Sequence, residues 1–225
     1  KGRKLRTASC PTKVLAAERD LPVLSPGNVN LPESGVPLRE LAPDLIVTVA
    51  YGQILKQDLL DLPPRGCINV HASLLPKYRG AAPIQWAIAN GDRMIGVTIL
   101  HMAKRMDAGD ILMQEPVAIQ DDDTGGSLQD VLAEAGARLL ARAVDAIAAG
   151  RVTRTPQVEA EASYVPKLVK EDGRIDWTKP ASSIYNRIRG FNPWPCCFCS
   201  LPGRGTLRVL KARAEPCAGV SGDVL

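Results

Sequence analysis

The sequence predicts an α/β fold, with a Rossmann-like, mostly parallel sheet up to about residue 150, and three observations carry that expectation. Asp44-Leu45-Ile46-Val47-Thr48-Val49-Ala50 is a nearly continuous apolar run, the pattern of a central parallel strand covered on both faces. Strand-like and helix-like stretches alternate across short links marked by Gly and Pro. The longest helical pattern, residues 128–149, places Leu128, Val131, Leu132, Ala135, Leu139, Ala143, Val144 and Ile147 on one stripe, which suits a helix packed on a sheet.

Residues 1–11 are basic and polar and read as a loop, and residues 12–19 have helical spacing. Leu21-Pro22-Val23-Leu24 suits a short edge strand, because Pro cannot donate to a ladder. Residues 36–41 suit a short helix closed by Pro43. After the apolar strand, Tyr51-Gly52-Gln53 turns into a helix at 54–60. Cys67-Ile68-Asn69-Val70-His71 reads as a strand, followed by a loop punctuated by Pro76, Gly80 and Pro83 and by a helix near 84–89. Residues 96–102 and 111–119 are further strands on either side of the turn Met106-Asp107-Ala108-Gly109-Asp110. Ser127 is the expected cap of the long helix, Asp130 suits its first turn, and Gly150 stops it. Periodicity fades over 151–170, as in a linker. A third region, 171–225, opens with a helix around 181–189 between Ile175-Asp176-Trp177 and Phe191-Asn192-Pro193-Trp194-Pro195, whose aromatic residues suit a core. Residues 196–201 and 206–212 then form strands around Pro202-Gly203-Arg204-Gly205.

With 45% apolar and 23% charged residues among 225, the composition is that of an ordinary soluble chain, and no apolar run is long enough to span a bilayer. The chain begins without Met and ends abruptly, as expected of part of something longer. Six Cys without a regular framework suit a reducing compartment. Cys196-Cys197-x-Cys199 lacks a second ligand pair at zinc spacing, and Asp121-Asp122-Asp123 lacks partners at calcium-loop spacing, so no metal is expected. The net charge of +4 is uneven: residues 1–13 carry +5, residues 14–150 carry −6 and residues 151–225 carry +5. Such a distribution suits a polyanion held at the flanks of an acidic body. The absence of Gly-x-Gly-x-x-Gly argues against a nicotinamide or flavin site.

The chemistry-bearing stretch is Asn69-Val70-His71-Ala72-Ser73-Leu74-Leu75-Pro76. In a strand Asn69 and His71 point to one face and Ile68 and Val70 to the other, so an amide and an imidazole share a face where the strand ends. In an α/β sheet that carboxyl edge is where ligands bind.

Asn-x-His-x-Ser-Leu-Leu-Pro, with Asp-x-Gly-Asp beginning thirty-six positions after the His, resembles the folate-dependent formyltransferases, and the likeness runs from Arg3-Lys4-Leu5 past Phe191-Asn192-Pro193-Trp194-Pro195. Within that family the chain is most similar to the members that act on methionyl initiator tRNA. The resemblance implies the formyltransferase fold, with its first strand lying before Lys1, and a C-terminal β-barrel resembling an OB-fold, of which only the start is present. It also implies 10-formyltetrahydrofolate as formyl donor, tetrahydrofolate as product, methionyl initiator tRNA as acceptor, and no membrane or obligate protein partner. Asn69, His71 and Asp107 match the family's catalytic triplet, Ser73, Leu74, Leu75 and Pro76 its folate-contact segment, and Tyr51, Gly52 and Gln53 the turn that lines its folate pocket. Lys1, Arg3, Lys4 and Arg6 fall in a basic loop that in the family reaches the tRNA acceptor stem. A bacterial cytosol is the expected location, or an organelle matrix if a leader is missing. Ala103-Lys104-Arg105 departs from the acidic and Gly-containing stretch common before this Asp.

Formyl transfer to an amine passes through a tetrahedral intermediate with an oxyanion, which a donor such as the Asn69 amide or His71 can stabilise. The ammonium formed must lose a proton, and Asp107 is the candidate to orient His71 and accept it. Three other readings stand beside this one: formylation of a small amine such as a sugar nucleotide or glycinamide ribonucleotide, hydrolysis by Ser73, His71 and Asp107, and a non-enzymatic RNA-binding module built on the barrel alone. Hydrolysis lacks a Gly-x-Ser-x-Gly elbow, and the last leaves the triplet without a purpose. His101 reads as structural.

Overall fold

The computed structural model describes residues 9–215, which fall in two compact units that divide between Leu41 and Ala42. In the first, α1 (Pro11–Glu18) and α2 (Pro32–Glu40) each open with Pro, whose missing N–H would be unpaired there in any case. The second helix therefore starts four residues before the expected 36 and carries Pro37 within it. The expected edge strand at 21–24 is irregular instead, with Leu21, Val23 and Leu24 exposed.

The larger unit is built on a four-stranded sheet in the order β1 (Ile46–Val49), β2 (Cys67–His71), β4 (Met94–His101), β5 (Ile111–Ala118). The α/β layering matches expectation. Strand directions among the described residues are mixed: β1 and β2 are parallel, joined through the one-turn helix α3 (Gln57–Leu60), while β2–β4 and β4–β5 are antiparallel. Among the described residues β1 stands at the sheet edge, with Val47 and Val49 exposed, rather than at the covered centre that its apolar run predicts. Between β2 and β4 lie the short strand β3 (Arg79–Gly80) and helix α4 (Pro83–Ala89).

Helix α5 (Gly125–Ala148) covers one face of the sheet. Its cap is Thr124 rather than Ser127: the Thr124 side chain accepts from Ser127 N, and Ser127 Oγ accepts from Thr124 N, a reciprocal box that starts the helix earlier than expected. Asp130 thus falls beyond the first turn. Leu128, Leu132, Ala135, Leu139 and Ala143 are buried against Ile68, Val97 and Ile99, while Val131 is exposed and off the stripe. At Gly136 an added Cβ would stand 3.3 Å from Val70 Cγ1, so helix and sheet approach closely there.

Residues 151–170 are an ordered segment rather than a plain linker. Thr155 bridges to Ile111, and β6 (Tyr164–Val165) pairs in parallel with β3. A second cluster gathers Leu168, Ile175, Ile188, Phe191 and Cys197 around α4 and α6 (Ala181–Gly190), with Trp86 edge-on to Phe191 at 5.5 Å. Trp177 and Trp194 are exposed, so of the flanking aromatics only Phe191 is core. β7 (Cys197–Leu201) and β8 (Gly205–Val209) form the expected hairpin. Burial pushes the Cys67 and Cys197 thiols up to about 11, which keeps both protonated and unreactive at neutral pH. No described helix is long and apolar enough to cross a membrane.

Candidate active site

Strand alternation on β2 sends Ile68 and Val70 to the α5 side and leaves Asn69 and His71 on the other face. Parallel register sets Thr48 beside Asn69. Thr48 Oγ1 donates to Asn69 Oδ1 at 2.9 Å, so the amide is oriented with Nδ2 as its remaining donor. The same hydroxyl lies 3.2 Å from Ile68 O and 3.3 Å from Met102 Sδ, which holds it in place.

His71 is 6% exposed, and its Nε2 stands 2.8 Å from the Tyr78 carbonyl oxygen. A carbonyl only accepts, so the proton of the neutral ring sits on Nε2 and Nδ1 carries the lone pair. Nδ1 lies 3.7 Å from Asp107 Oδ2. Tyr78 is itself tethered: its hydroxyl donates to Asp92 at 2.8 Å and accepts from Asn90, and burial raises the phenol above its ordinary value.

Asp107 sits in the turn between β4 and β5 at φ +51°, a left-handed conformation that a non-Gly residue adopts at a cost of about 1–3 kcal/mol. Gly80 N donates to its Oδ2 at 2.9 Å. Gly80 has φ +115°, and a Cβ there would run into Val165 O, so only Gly lets β3 meet β6 and present that N–H.

These groups open on a cleft of about 900 Å³. Asn69, His71 and Asp107 line it together with Tyr51, Gly52 and Gln53, and Leu132, Gly136 and Leu140 of α5 form an apolar wall. A largely apolar cleft of this size with a few converging polar groups fits a flat, drug-sized co-substrate. Ser73, Leu74, Leu75 and Pro76 do not line it. Ser73 is fully buried, its hydroxyl donating to Lys77 O at 2.6 Å, and its carbonyl accepts from Thr98 Oγ1. Leu75 donates to Thr98 Oγ1 and accepts from Gln114. The Leu-Leu-Pro turn is thus clipped to β4 and β5, which fixes the shape of the loop that carries these four residues. The same burial removes Ser73 as a hydrolytic nucleophile. Lys1, Arg3, Lys4 and Arg6 lie outside the described residues.

Two of the clamps, Thr48 and the Gly80 N–H, were not singled out from the sequence; neither carries a reactive group, and a backbone N–H leaves no residue signature. His101 ends β4, its ring beside Gly66 just before β2 and its backbone against the Asp107 turn. Burial foremost, then the Arg154 charge, holds its ring below the usual imidazole value.

An amide donor, an imidazole with a lone pair toward the site and a carboxylate, set around one cleft, are groups suited to passing an acyl group to a nucleophile. The chain belongs to the formyl transferase family: that family's sequence profile matches residues 1–144, and the profile of its C-terminal domain matches residues 167–223. It is 44% identical over 225 residues to the methionyl-tRNA formyltransferase of Geobacter sulfurreducens and 47% identical over 224 residues to that of Stutzerimonas stutzeri, in each case covering 100% of this chain and 71% of the relative. Among solved structures, a sugar N-formyltransferase from Shewanella sp. superposes with a TM-score of 0.73 at 20% identity, over 93% of this chain and 82% of that one. HypX from Aquifex aeolicus, in complex with tetrahydrofolic acid, gives 0.67 at 24% identity, over 87% of this chain and 34% of that one. Those two likenesses show the fold.

Proposed function

We propose that the chain transfers a formyl group from 10-formyltetrahydrofolate to the α-amino group of methionyl initiator tRNA. The observation that carries this reading is the convergence of Asn69, His71 and Asp107 on one cleft, in a chain 44–47% identical to relatives of that name over its whole length. The folate supplies the formyl carbonyl. Tyr51, Gly52 and Gln53 offer backbone polar groups along the cleft, and the α5 wall receives flat apolar surface.

Asn69, oriented by Thr48, directs Nδ2 at the formyl oxygen as charge gathers on it; one such donor is worth about 3–4 kcal/mol in the transition state. His71 takes up the proton of the attacking amine at Nδ1, the only ring nitrogen with a lone pair once Nε2–H is committed to Tyr78 O. Asp107, 3.7 Å away, stabilises the imidazolium so formed, which gives the proton to the folate nitrogen as the formyl carbon–nitrogen bond breaks and tetrahydrofolate leaves. The reacting groups belong to the region at residues 1–150, followed by the connecting stretch 151–170 and by the C-terminal region at 171–225. Arg204, Arg208, Lys211 and Arg213 are exposed on or just after the C-terminal hairpin, where they offer phosphate contacts.

The test offers labelled formyl donor with methionyl initiator tRNA, with a sugar nucleotide amine and with glycinamide ribonucleotide. Label on the tRNA is expected. Label on a small amine alone would overturn the acceptor, and no transfer to any of the three would overturn the reaction.

A further inference from the structure

Arg79 has no exposed surface, and a fully buried guanidinium has to satisfy its donors within the protein. Its Nε and Nη2 donate to Gln157 Oε1 at 3.0 and 2.9 Å, and Nη1 donates to Glu159 at 3.0 Å and to the Tyr164 hydroxyl at 2.7 Å. Gln157 spends its other half on the catalytic turn: Nε2 donates to Asp107 O at 2.8 Å and to Gly109 O at 2.7 Å. All four hydrogen-bonding positions of this one amide are filled, and they fix which end is oxygen, since guanidinium only donates and the two carbonyls only accept.

The arrangement ties the two loops that hold the reacting groups. The loop containing Arg79 supplies Tyr78 O to His71 and Gly80 N to Asp107. The turn containing Asp107 is held by its backbone carbonyl in a left-handed conformation, and a Cβ on Gly109 would run into His101 O, so the turn has little room to adjust. Arg105, which stands where the sequence departs from the family pattern, adds an outer tie by donating to Glu159 Oε1 at 2.6 Å and to the Tyr164 hydroxyl at 3.0 Å.

We propose that Gln157 is a positioning residue for formyl transfer, its side-chain amide locking the Asp107 turn to the Arg79 loop so that the carboxylate faces His71. The proposal rests on the formyl-transfer reading for its consequence in turnover, but not for its geometry. It places part of the catalytic apparatus in the stretch between the two family regions, where sequence periodicity is absent.

Gln157→Glu is the informative variant. It keeps an oxygen for Arg79 and so preserves the buried pairing, while replacing the double donor with a group that repels both carbonyls. Gln157→Ala removes both halves. In the full-length chain Gln157→Glu should lower kcat on the order of a hundredfold, as expected for a group displaced by about 1 Å, with KM for the folate donor changed less than about threefold. The second readout does not need turnover. His71 is one of two histidines, so its ring nitrogen resonances can be assigned by nitrogen NMR. Asp107→Asn should perturb the His71 Nδ1 resonance in the parent and leave it nearly unmoved in the Gln157→Glu background, a double-mutant cycle that cancels the added charge. A response of His71 to Asp107→Asn that is the same in both backgrounds would overturn the proposal, as would a Gln157→Glu kcat within threefold of the parent. If the parent transfers no formyl group, the functional reading fails while the NMR cycle still decides the role of Gln157.

Discussion

The two sides of the proposed reaction centre are supported in different ways. Asn69 and His71 stand on a strand paired along both edges, to β1 in parallel and to β4 antiparallel, so their backbone is fixed by many ladder bonds at once. Asp107 stands on a turn whose conformation is unfavourable by itself and which depends on a few bonds, from Gly80 N and from Gln157. Each ladder bond contributes only about 0.5–1.5 kcal/mol net, yet losing one leaves the rest in place. The turn has no such redundancy. The strand should therefore tolerate damage to its surroundings, and the turn should not.

The largest expected effect is at the turn. Asp107→Asn should cut formyl transfer by about 10²–10⁴-fold while leaving the unfolding midpoint and tRNA affinity nearly unchanged, measured by single-turnover transfer and filter binding. Unaltered transfer would remove Asp107 from the centre. Next is the packing behind the strand: Leu139→Ala, at a fully buried position on α5, should destabilise by about 2–5 kcal/mol in urea titration, with turnover per folded molecule preserved. A comparable loss of turnover would mean that the ladder does not insulate the site. Thr48→Val keeps the shape and removes the hydroxyl that orients Asn69, so kcat should fall about tenfold or less, for the loss of one hydrogen bond of about 0.5–1.5 kcal/mol. A fall larger than that of Gln157→Glu would reverse the ranking of the two supports. The smallest effect is at the end of β4. Because the folded His101 ring binds a proton less readily than the unfolded one, its contribution to stability is complete above about pH 6.5 and declines as pH falls through that value toward the lowered folded one. Thermal unfolding between pH 5 and 7.5 should show that decline, and His101→Asn should flatten it.

The strand end was legible because side-chain alternation is a local property. Asn-x-His places two polar groups on one face wherever the strand lies, and Asp107 is flagged by its spacing in the family pattern. The long helix was legible from its stripe, though its start was misplaced because Thr124 and Ser127 both have capping chemistry and only the backbone geometry separates them. The apolar run at 44–50 suggested a covered strand, yet Val47 and Val49 are exposed in the described unit, since composition reports what a strand can bury and not what lies beside it. The sequence signature of residues 73–76 marks a loop near the site, and only the structure shows how that loop is tied to its neighbours. Residues 155–165 carried no signal at all. A single Gln that binds groups 48, 50 and 78 positions away leaves no periodic trace.

By itself the sequence determined the kind of chemistry, an amide, an imidazole and a carboxylate in a recognisable order, because residue type and strand period need nothing beyond the chain's covalent geometry. Only the tertiary structure decided how those groups are used. The tautomer of His71 is set by the carbonyl of Tyr78, and the aim of Asp107 by the N–H of Gly80 and the amide of Gln157. Those contacts join segments that come together when β3 meets β6, and backbone carbonyls and N–H groups, common to nearly every residue, acquire meaning only from where the fold puts them.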